Sequence, residues 1–264
     1  MSTTRSTREP LRSKVEAFDR DAVQNDGYVY TTGQRLSSQL ATRNMSDLVL
    51  SCYAFEGKRV ADVGCGDGFM TARYWEEGHP AWMVGADPAP EAIKVAKRRY
   101  PSPASYPGSY PGSYTGSYPG LDFVVAEGRR LPWADDSFDV ALLHAMLHHD
   151  PSPRDTIREG FRVAREVVIL EPNGNNFGLK VIEKASRYHR EHQERSYSTR
   201  KLLRWVSECG GTVVRERIEG LVPMFCPDWI ARGTKAVERL VERSATLSYV
   251  GCAVVCIVAR RTAG

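Results

Sequence analysis

The chain has 264 residues, of which 42% are hydrophobic, so it can bury one large core. Its net charge of +4 is slight for this length and no long run of lysine and arginine occurs, which argues against a dedicated nucleic-acid surface. The amino-terminal segment lacks the apolar core of a signal peptide and no apolar run is long enough to span a bilayer, so a cytoplasmic protein is expected. The six cysteines show no CxxC spacing, which favours reduced packing residues over a metal site.

Apolar runs alternate with amphipathic segments along the chain. After a polar leader over residues 1–33, leucines at roughly helical spacing predict a docking helix. Strand-like runs follow at KRVADVG, AWMVGAD, LDFVVAE, DVALLH and EVVILEP, and later at TVVRERIEG and YVGCAVVCIVARR, the last two separated by a helix that includes TKAVERLVERS. This alternation predicts an α/β fold in which helices cover both faces of a largely parallel sheet.

A tetrapeptide repeat, SYPGSYPGSYTGSYPG over residues 105–120, separates the second and third strands. Repeated Pro-Gly turns cannot build a hydrophobic face, so the repeat is interpreted as a disordered or loosely turned loop. A loop that leads into a parallel strand lies at the amino-terminal edge of the sheet, away from the edge where ligands bind. The alternative is an adhesive or binding segment.

Three glycines, Gly64, Gly66 and Gly68, stand between the first strand and a helix that is expected to begin near Phe69. A strand, a glycine turn and a helix bring a nucleotide-like ligand against bare backbone. The third glycine comes one residue too early for the dinucleotide pattern G-x-G-x-x-G. Asp87 ends the second strand, about twenty residues further on, where a carboxylate can accept both hydroxyls of a ribose. A ligand that contains a ribose is therefore predicted.

The order and spacing of four segments are typical of a known family. The segments are DVGCGDG, GADPAPEAI, AEGRRLPWADDSFDVALLHAMLHHD and REGFRVAREVVILEPN. They resemble class I S-adenosylmethionine-dependent methyltransferases, in particular the small-molecule group that includes the quinone-biosynthesis enzymes. The resemblance implies a Rossmann-like seven-stranded, mostly parallel sheet of order 3-2-1-4-5-7-6 within residues 34–264. Many relatives have two glycines before the fifth strand, and their absence here predicts a tighter turn from helix to strand.

The resemblance also implies where S-adenosylmethionine binds. Asp62 and the glycine turn are expected beside its amino-acid end, and Asp87 on its ribose. Glu127, where the family usually has aspartate, is expected to accept a hydrogen bond from the adenine amino group. The full expected set is Asp62, Gly64, Gly66, Gly68, Asp87, Pro88, Glu127, Gly128 and His144.

Methyl transfer needs mainly alignment of the acceptor with the methyl group, but a phenol, enol or carbon acceptor also benefits from a general base. The candidates are His148 and, second to it, His144, in the segment HAMLHHD after the fourth strand. The two histidines are four residues apart and would share one face of a helix that began there. The alternative is that these histidines only orient the loop through hydrogen bonds.

Two added segments are expected to select the acceptor. Tyr28 and Tyr30 in the leader either close over the cofactor as lids or simply pack. A substrate lid is predicted near residues 174–198, with basic residues that either meet an anionic group on the acceptor or form a solvated face. These residues are Lys180, Lys184, Arg187, Arg190 and Arg195.

The predicted function is therefore methylation of a small molecule at oxygen, carbon or nitrogen, with no metal and no nucleic-acid partner. One alternative is a methyltransferase that acts on tRNA or protein. Another is a non-catalytic domain that binds the cofactor or a partner. The oligomeric state is left open.

Overall fold

The computed structural model describes residues 8–33, 35–102, 118–180 and 196–262, with side chains from residue 15 onward, Tyr30 excepted. Within these residues seven strands form one sheet of order β3-β2-β1-β4-β5-β7-β6, which confirms the predicted fold class. The strands are β1 (Arg59–Val63), β2 (Trp82–Asp87), β3 (Leu121–Val125), β4 (Phe138–His144), β5 (Ala164–Pro172), β6 (Gly211–Glu219) and β7 (Val254–Arg261).

Helices flank this sheet. They are α1 (Arg8–Asn25), α2 (Val29–Thr32), α3 (Leu36–Cys52), α4 (Phe69–Gly78), α5 (Pro90–Arg99), α6 (Pro153–Val163), α7 (Thr199–Glu208), α8 (Asp228–Glu242) and α9 (Ala245–Gly251). None of the helices in the described ranges is both long enough and apolar enough to cross a membrane.

The first five strands run parallel, and β7 lies antiparallel between β5 and β6. Parallel pairing brings the carboxyl ends of β1, β2 and β4 to one edge, where Asp62, Asp87 and His144 lie. Ligands bind at this edge in open α/β sheets. The sheet therefore gathers residues that are far apart in the sequence.

Two hydrophobic layers cover the two faces of the sheet, as expected for strands buried on both sides. One layer packs α3 and α4 against Met83 and Leu142, and the other packs α6 and α7 against Ala61 and Leu143. Alternate residues of one strand thus serve opposite layers, since successive side chains point to opposite faces.

The polar leader contains a helix that the sequence interpretation did not include. Helix α1 packs on α5, and Ala22 and Tyr28 join Ala92 and Val95 in a small third cluster. Val15, Phe18 and Ala22 have the spacing of a helical face, so a weak signal was present within the polar composition.

The starts of β5 and β7 test two predictions made from the sequence. Helix α6 ends at Val163 and β5 begins at Ala164, so the predicted tight turn is confirmed. The last strand was expected to include Tyr249, but Tyr249 lies in α9 and β7 begins at Val254. Its apolar run is continuous across the boundary, so apolar character alone could not mark where the helix ends.

Most of the tetrapeptide repeat, residues 105–117, falls outside the described residues. Tyr118 is half-buried, and its ring contacts Trp75 and Tyr100 at centroid distances of 5.3 and 5.4 Å. The repeat was interpreted as a disordered or loosely turned loop, but its last tyrosine packs against the domain.

Replacing residues 105–117 with a short Gly-Ser linker is expected to leave Tm nearly unchanged. Changing the length of a surface loop alters closure entropy by only about 0.6 kcal/mol per doubling. The matched control is Tyr118→Ala in the full chain, which removes the two ring contacts and should lower Tm. A large loss of stability in the linker variant would mean that the repeat packs on the domain.

Candidate functional site

A cavity of about 590 Å³ lies at the carboxyl edge of the parallel strands. The leader, α3, the glycine turn, the loops after β2, β3, β4 and β5, and the segment between β6 and α8 all contribute to its wall. Every residue of the expected cofactor set except Gly68 lines it, namely Asp62, Gly64, Gly66, Asp87, Pro88, Glu127, Gly128 and His144.

A hydrogen bond ties the glycine turn to the end of β2. Gly66 has a φ of +55°, and its N–H donates to Asp87 Oδ2 at 3.0 Å. A Cβ on Gly66 would lie 2.5 Å from the ring of Tyr28. Gly68 has a φ of +77° and meets Phe123 and Ala96 instead, so it serves packing behind the cavity. Only glycine therefore fits the turn at Gly66, where backbone faces the cavity.

Asp87 occupies the end of β2, as expected, and is half-buried. Its Oδ1 accepts the N–H of Ala89 at 2.8 Å, while Oδ2 accepts Gly66 N–H. Burial raises the pKa of Asp87 to about 6, against the lowering effect of these two hydrogen bonds. Each carboxylate oxygen keeps a second lone pair that can accept a ligand hydroxyl.

Asp62 is almost fully buried at the end of β1. Its Oδ2 accepts a hydrogen bond from Thr71 Oγ1 at 2.6 Å, and its Oδ1 has no hydrogen-bond partner in the described part of the chain. Burial raises the pKa of Asp62 to about 7, and the neighbouring Asp87 adds to the shift. A buried carboxylate oxygen without a partner at a cavity wall suits a cationic or hydrogen-donating ligand.

Glu127 and Gly128 follow β3 and line the cavity. The Glu127 side chain is half exposed and lies 3.5 Å from the guanidinium of Arg129. A Cβ on Gly128 would lie 2.9 Å from Val63, so this position is restricted by packing within the protein.

His144 and His148 reach the cavity from different elements, and the expectation that one helix face carries both is wrong. His144 ends β4, whereas His148 lies in the turn at residues 145–150, and α6 begins only at Pro153. Ala145 between them has a φ of +49°, a left-handed conformation that reverses the chain directly after the strand. This reversal ends the strand without starting a helix.

The environments of the two histidines differ. His144 Nδ1 lies 2.7 Å from the hydroxyl of Tyr74, and burial lowers the pKa of His144 to about 3. His148 Nδ1 lies 2.9 Å from Oε2 of Glu171, a carboxylate with no exposed surface. Glu171 Oε1 also accepts the N–H of Leu147 at 2.7 Å. His144 is therefore held neutral, and His148 has a carboxylate that can stabilise its protonated form.

Asp67 joins the leader to the glycine turn and was not predicted. Its Oδ2 accepts hydrogen bonds from Tyr28 N–H at 3.1 Å and Thr31 Oγ1 at 2.5 Å, and it pairs with Arg99 at 3.1 Å. The ring of Phe18 contacts His149 at a centroid distance of 5.0 Å. The leader thus forms one wall of the cavity.

The remaining wall is mostly apolar. It contains Met45, Leu179, Val222, Met224, Phe225 and Val254. Lys180 donates through Nζ to the backbone oxygen and the hydroxyl of Ser196, at 2.9 and 2.7 Å. Lys184, Arg187, Arg190 and Arg195 of the expected basic helix fall outside the described residues.

Comparison with known proteins supports the resemblance. Residues 61–170 match the model of a methyltransferase domain family. Over 109 residues the chain is 34% identical to a phthiotriol/phenolphthiotriol dimycocerosates methyltransferase of Mycobacterium tuberculosis, a match that covers 41% of this chain and 34% of the relative. Over 141 residues it is 28% identical to a demethylmenaquinone methyltransferase of Renibacterium salmoninarum, covering 52% of this chain and 51% of that protein. The chain thus spans from a third to half of these relatives.

A solved structure agrees in fold. A SAM-dependent methyltransferase from Thermotoga maritima superposes with a TM-score of 0.62 at 15% identity, covering 94% of this chain and 100% of the other. The predicted fold is thereby confirmed. Residues 61–170 are thus similar to a methyltransferase domain and lie within a sheet of order 3-2-1-4-5-7-6.

Proposed function

We propose that this protein transfers the methyl group of S-adenosylmethionine to an apolar small-molecule acceptor. The observation that carries the proposal is a cavity lined by Asp62 and Asp87, by an apolar wall and by His148. Glu171, which is fully buried, holds His148 from behind through a 2.9 Å contact with Nδ1. Such a cavity can hold the cofactor and an acceptor side by side.

The residues present fit the cofactor. Asp62 Oδ1 is a buried acceptor without a partner in the described ranges, which suits the ammonium group of the amino-acid end. The lone pairs of Asp87 suit the ribose hydroxyls, and half-exposed Glu127 is the acceptor proposed for the adenine amino group. When bound, the cofactor supplies an electrophilic methyl group.

The apolar wall supports an acceptor with a large hydrocarbon or aromatic part, since such a wall stabilises apolar surface removed from water. The names of the two relatives, which refer to phthiotriol and demethylmenaquinone, are consistent with this class. An anionic group on the acceptor stays a prediction, as do the lid near residues 174–198, the leader boundary at residue 33 and the cytoplasmic location.

His148 is proposed as the general base. Because an ionised carboxylate only accepts, Glu171 fixes the proton on Nδ1 of His148, which makes Nε2 the ring atom that can accept a proton from the acceptor. The negative charge of Glu171 then stabilises the imidazolium that forms. His144, with its low pKa, is proposed to position the wall through Tyr74.

Incubation with labelled S-adenosylmethionine tests the proposal. The panel contains apolar phenols, long-chain alcohols and quinols, together with tRNA and bulk protein. We expect label in organic-soluble products. Label in polymer would support the macromolecular alternative, and cofactor binding without any transfer would support the non-catalytic one.

Replacing Asp87 with alanine is expected to weaken S-adenosylhomocysteine binding by tenfold or more. Each lost charge-assisted hydrogen bond contributes about 1.5–3 kcal/mol. Because Asp87 also accepts the N–H groups of Gly66 and Ala89, a modest loss of Tm is expected as well. Calorimetry measures the affinity, and Asp155→Ala, a change of the same charge on the exposed side of α6, is the control. Unchanged affinity in Asp87→Ala would contradict the ribose assignment.

A further inference from the structure

Helix α8 directs apolar side chains into solvent. Trp229, Val237 and Leu240 are 75%, 47% and 68% exposed. At 100° per residue, the three lie on one side of the helix, together with Gly233, whose Cβ position meets no atom within 4 Å. Isolated exposed apolar residues are ordinary, but an aligned set that includes a tryptophan indicates an interaction surface.

The opposite side of α8 is anchored through polar groups. Glu238 is buried, and its Oε2 accepts hydrogen bonds from Asn44 Nδ2 at 2.8 Å and from the N–H of Leu221 at 3.0 Å. Glu242 accepts the N–H of Gly220 at 3.0 Å. Glu238 and Glu242 therefore face the protein together with buried Ala231, while the apolar stripe faces outward, which is unusual for a surface helix.

Basic residues flank the apolar stripe on one side. Arg232, Arg239 and Arg243 are exposed and spaced by seven and four residues, so they form a second stripe next to the first. None of them takes part in a salt bridge or hydrogen bond within the described residues. Asp228 is the exposed acidic residue at the start of the helix.

Further exposed apolar residues lie in α9, which packs on α8, and in the segment after β5. Leu247 and Val250 of α9 are 50% and 46% exposed, and Phe177 is 78% exposed. Gly251, which follows Val250, lines the cavity, and its backbone oxygen accepts a hydrogen bond from Asn176 Nδ2 at 2.7 Å. The same short segments thus present apolar residues to solvent and form part of the cavity wall.

We propose that the outward face of α8, with Leu247, Val250 and Phe177, docks on an anionic lipid surface. An apolar stripe with an aromatic residue and a flanking row of arginines is the pattern of helices that lie in the membrane interface. A second copy of the chain fits less well, because a symmetric contact through this stripe would bring the two arginine rows close together. Docking here places the cavity wall at the lipid, where the apolar acceptor of the proposed function would be concentrated.

Co-sedimentation with vesicles tests the docking surface and needs neither cofactor nor acceptor, so its result is independent of the proposed function. One set of vesicles contains phosphatidylcholine alone, and the other also contains about 30% phosphatidylglycerol as the anionic lipid. We expect the protein to bind the anionic vesicles, to bind pure phosphatidylcholine much more weakly, and to be released at high salt.

Two sets of variants separate the apolar and basic contributions. Trp229→Ser with Leu240→Ser should weaken vesicle binding on the order of tenfold or more, and Arg232→Gln, Arg239→Gln and Arg243→Gln together on the order of 100-fold. Each set has a matched control on other elements. The apolar control is the double variant Val23→Ser with Val214→Ser, and the basic control is the triple variant Arg154→Gln, Arg158→Gln and Arg204→Gln. Both controls change exposed residues and should bind like the original chain.

Three outcomes would overturn the proposal. The original chain could remain in the supernatant with anionic vesicles, or the α8 variants could bind as well as their controls. Sedimentation velocity could instead show a dimer that Trp229→Ser with Leu240→Ser converts to monomer, in which case the face is an interface between copies. Because all the substituted side chains are exposed, circular dichroism and Tm should match those of the original chain.

Discussion

Glu171→Gln is expected to lower kcat for methyl transfer by roughly 100-fold or more, the range for loss of a general base. The amide oxygen would keep the hydrogen bond to Leu147 N–H, because the amide NH₂ group cannot face another donor. The NH₂ group would then donate to Nδ1 of His148 and move the imidazole proton to Nε2. The ring would be in the tautomer that cannot accept a proton from the acceptor.

Several measurements distinguish this effect from a structural one. His148→Gln should lower kcat to a similar extent, and the double variant should be no slower than either single variant, since the two residues act as a unit. The affinity for S-adenosylhomocysteine should stay within about threefold in all of them. Nitrogen chemical shifts of His148 report the tautomer directly. A normal kcat in Glu171→Gln would assign the pair to loop orientation only.

The sheet and the glycine turn could be predicted because their signals are local. Each strand is a short apolar run, and the turn carries its three glycines within five positions. Asp62 and Asp87 could also be placed, since the end of a strand in a parallel sheet fixes which edge a residue occupies. The positions of these residues could be predicted without knowing which strands are neighbours.

The His148–Glu171 pair could not be predicted because it depends on strand order and on a single backbone reversal. Glu171 lies near the end of β5, one residue beyond the partner of His144 in the β4–β5 register. The left-handed Ala145 then turns the chain so that His148 comes back to that carboxylate. A helical pattern fits the segment HAMLHHD equally well, so spacing alone gave the wrong geometry.

The contact of Asp67 with the leader was missed for a different reason. Asp67 sits inside the cofactor motif, where the middle of a glycine turn suggests a ligand contact, yet it accepts hydrogen bonds from Tyr28 and Thr31. Contacts between a polar leader and a loop 36 to 39 residues away leave no periodic trace in the sequence. The same holds for Glu238 in α8, whose burial reverses the face expected from polarity.

The affinity for S-adenosylhomocysteine is expected to rise with pH between 6 and 8, by about tenfold if Asp62 receives the ligand's ammonium group. The raised pKa of about 7 means that Asp62 is mostly protonated at pH 6 in the free protein, because burial disfavours its charge. The ammonium group stabilises the ionised form, so binding below the pKa releases a proton and is weakened. Above pH 8 the carboxylate is already ionised and the dependence should level off.

Asp62→Asn should bind more weakly at pH 8, by about tenfold or more, and should lose most of the dependence between pH 6.5 and 8. Asparagine resembles the protonated carboxyl group that the free protein carries near pH 6, so the fold should be retained. A residual slope near pH 6 is expected from Asp87, whose pKa is raised by burial to about 6.

Thr71→Val is the matched test, because it removes the 2.6 Å hydrogen bond that lowers the pKa of Asp62. This change should move the curve of affinity against pH to higher pH. Calorimetry in two buffers of different ionisation enthalpy would count the released proton. A pH-independent affinity in the original chain, or an unchanged slope in Asp62→Asn, would place the amino-acid end of the cofactor away from Asp62.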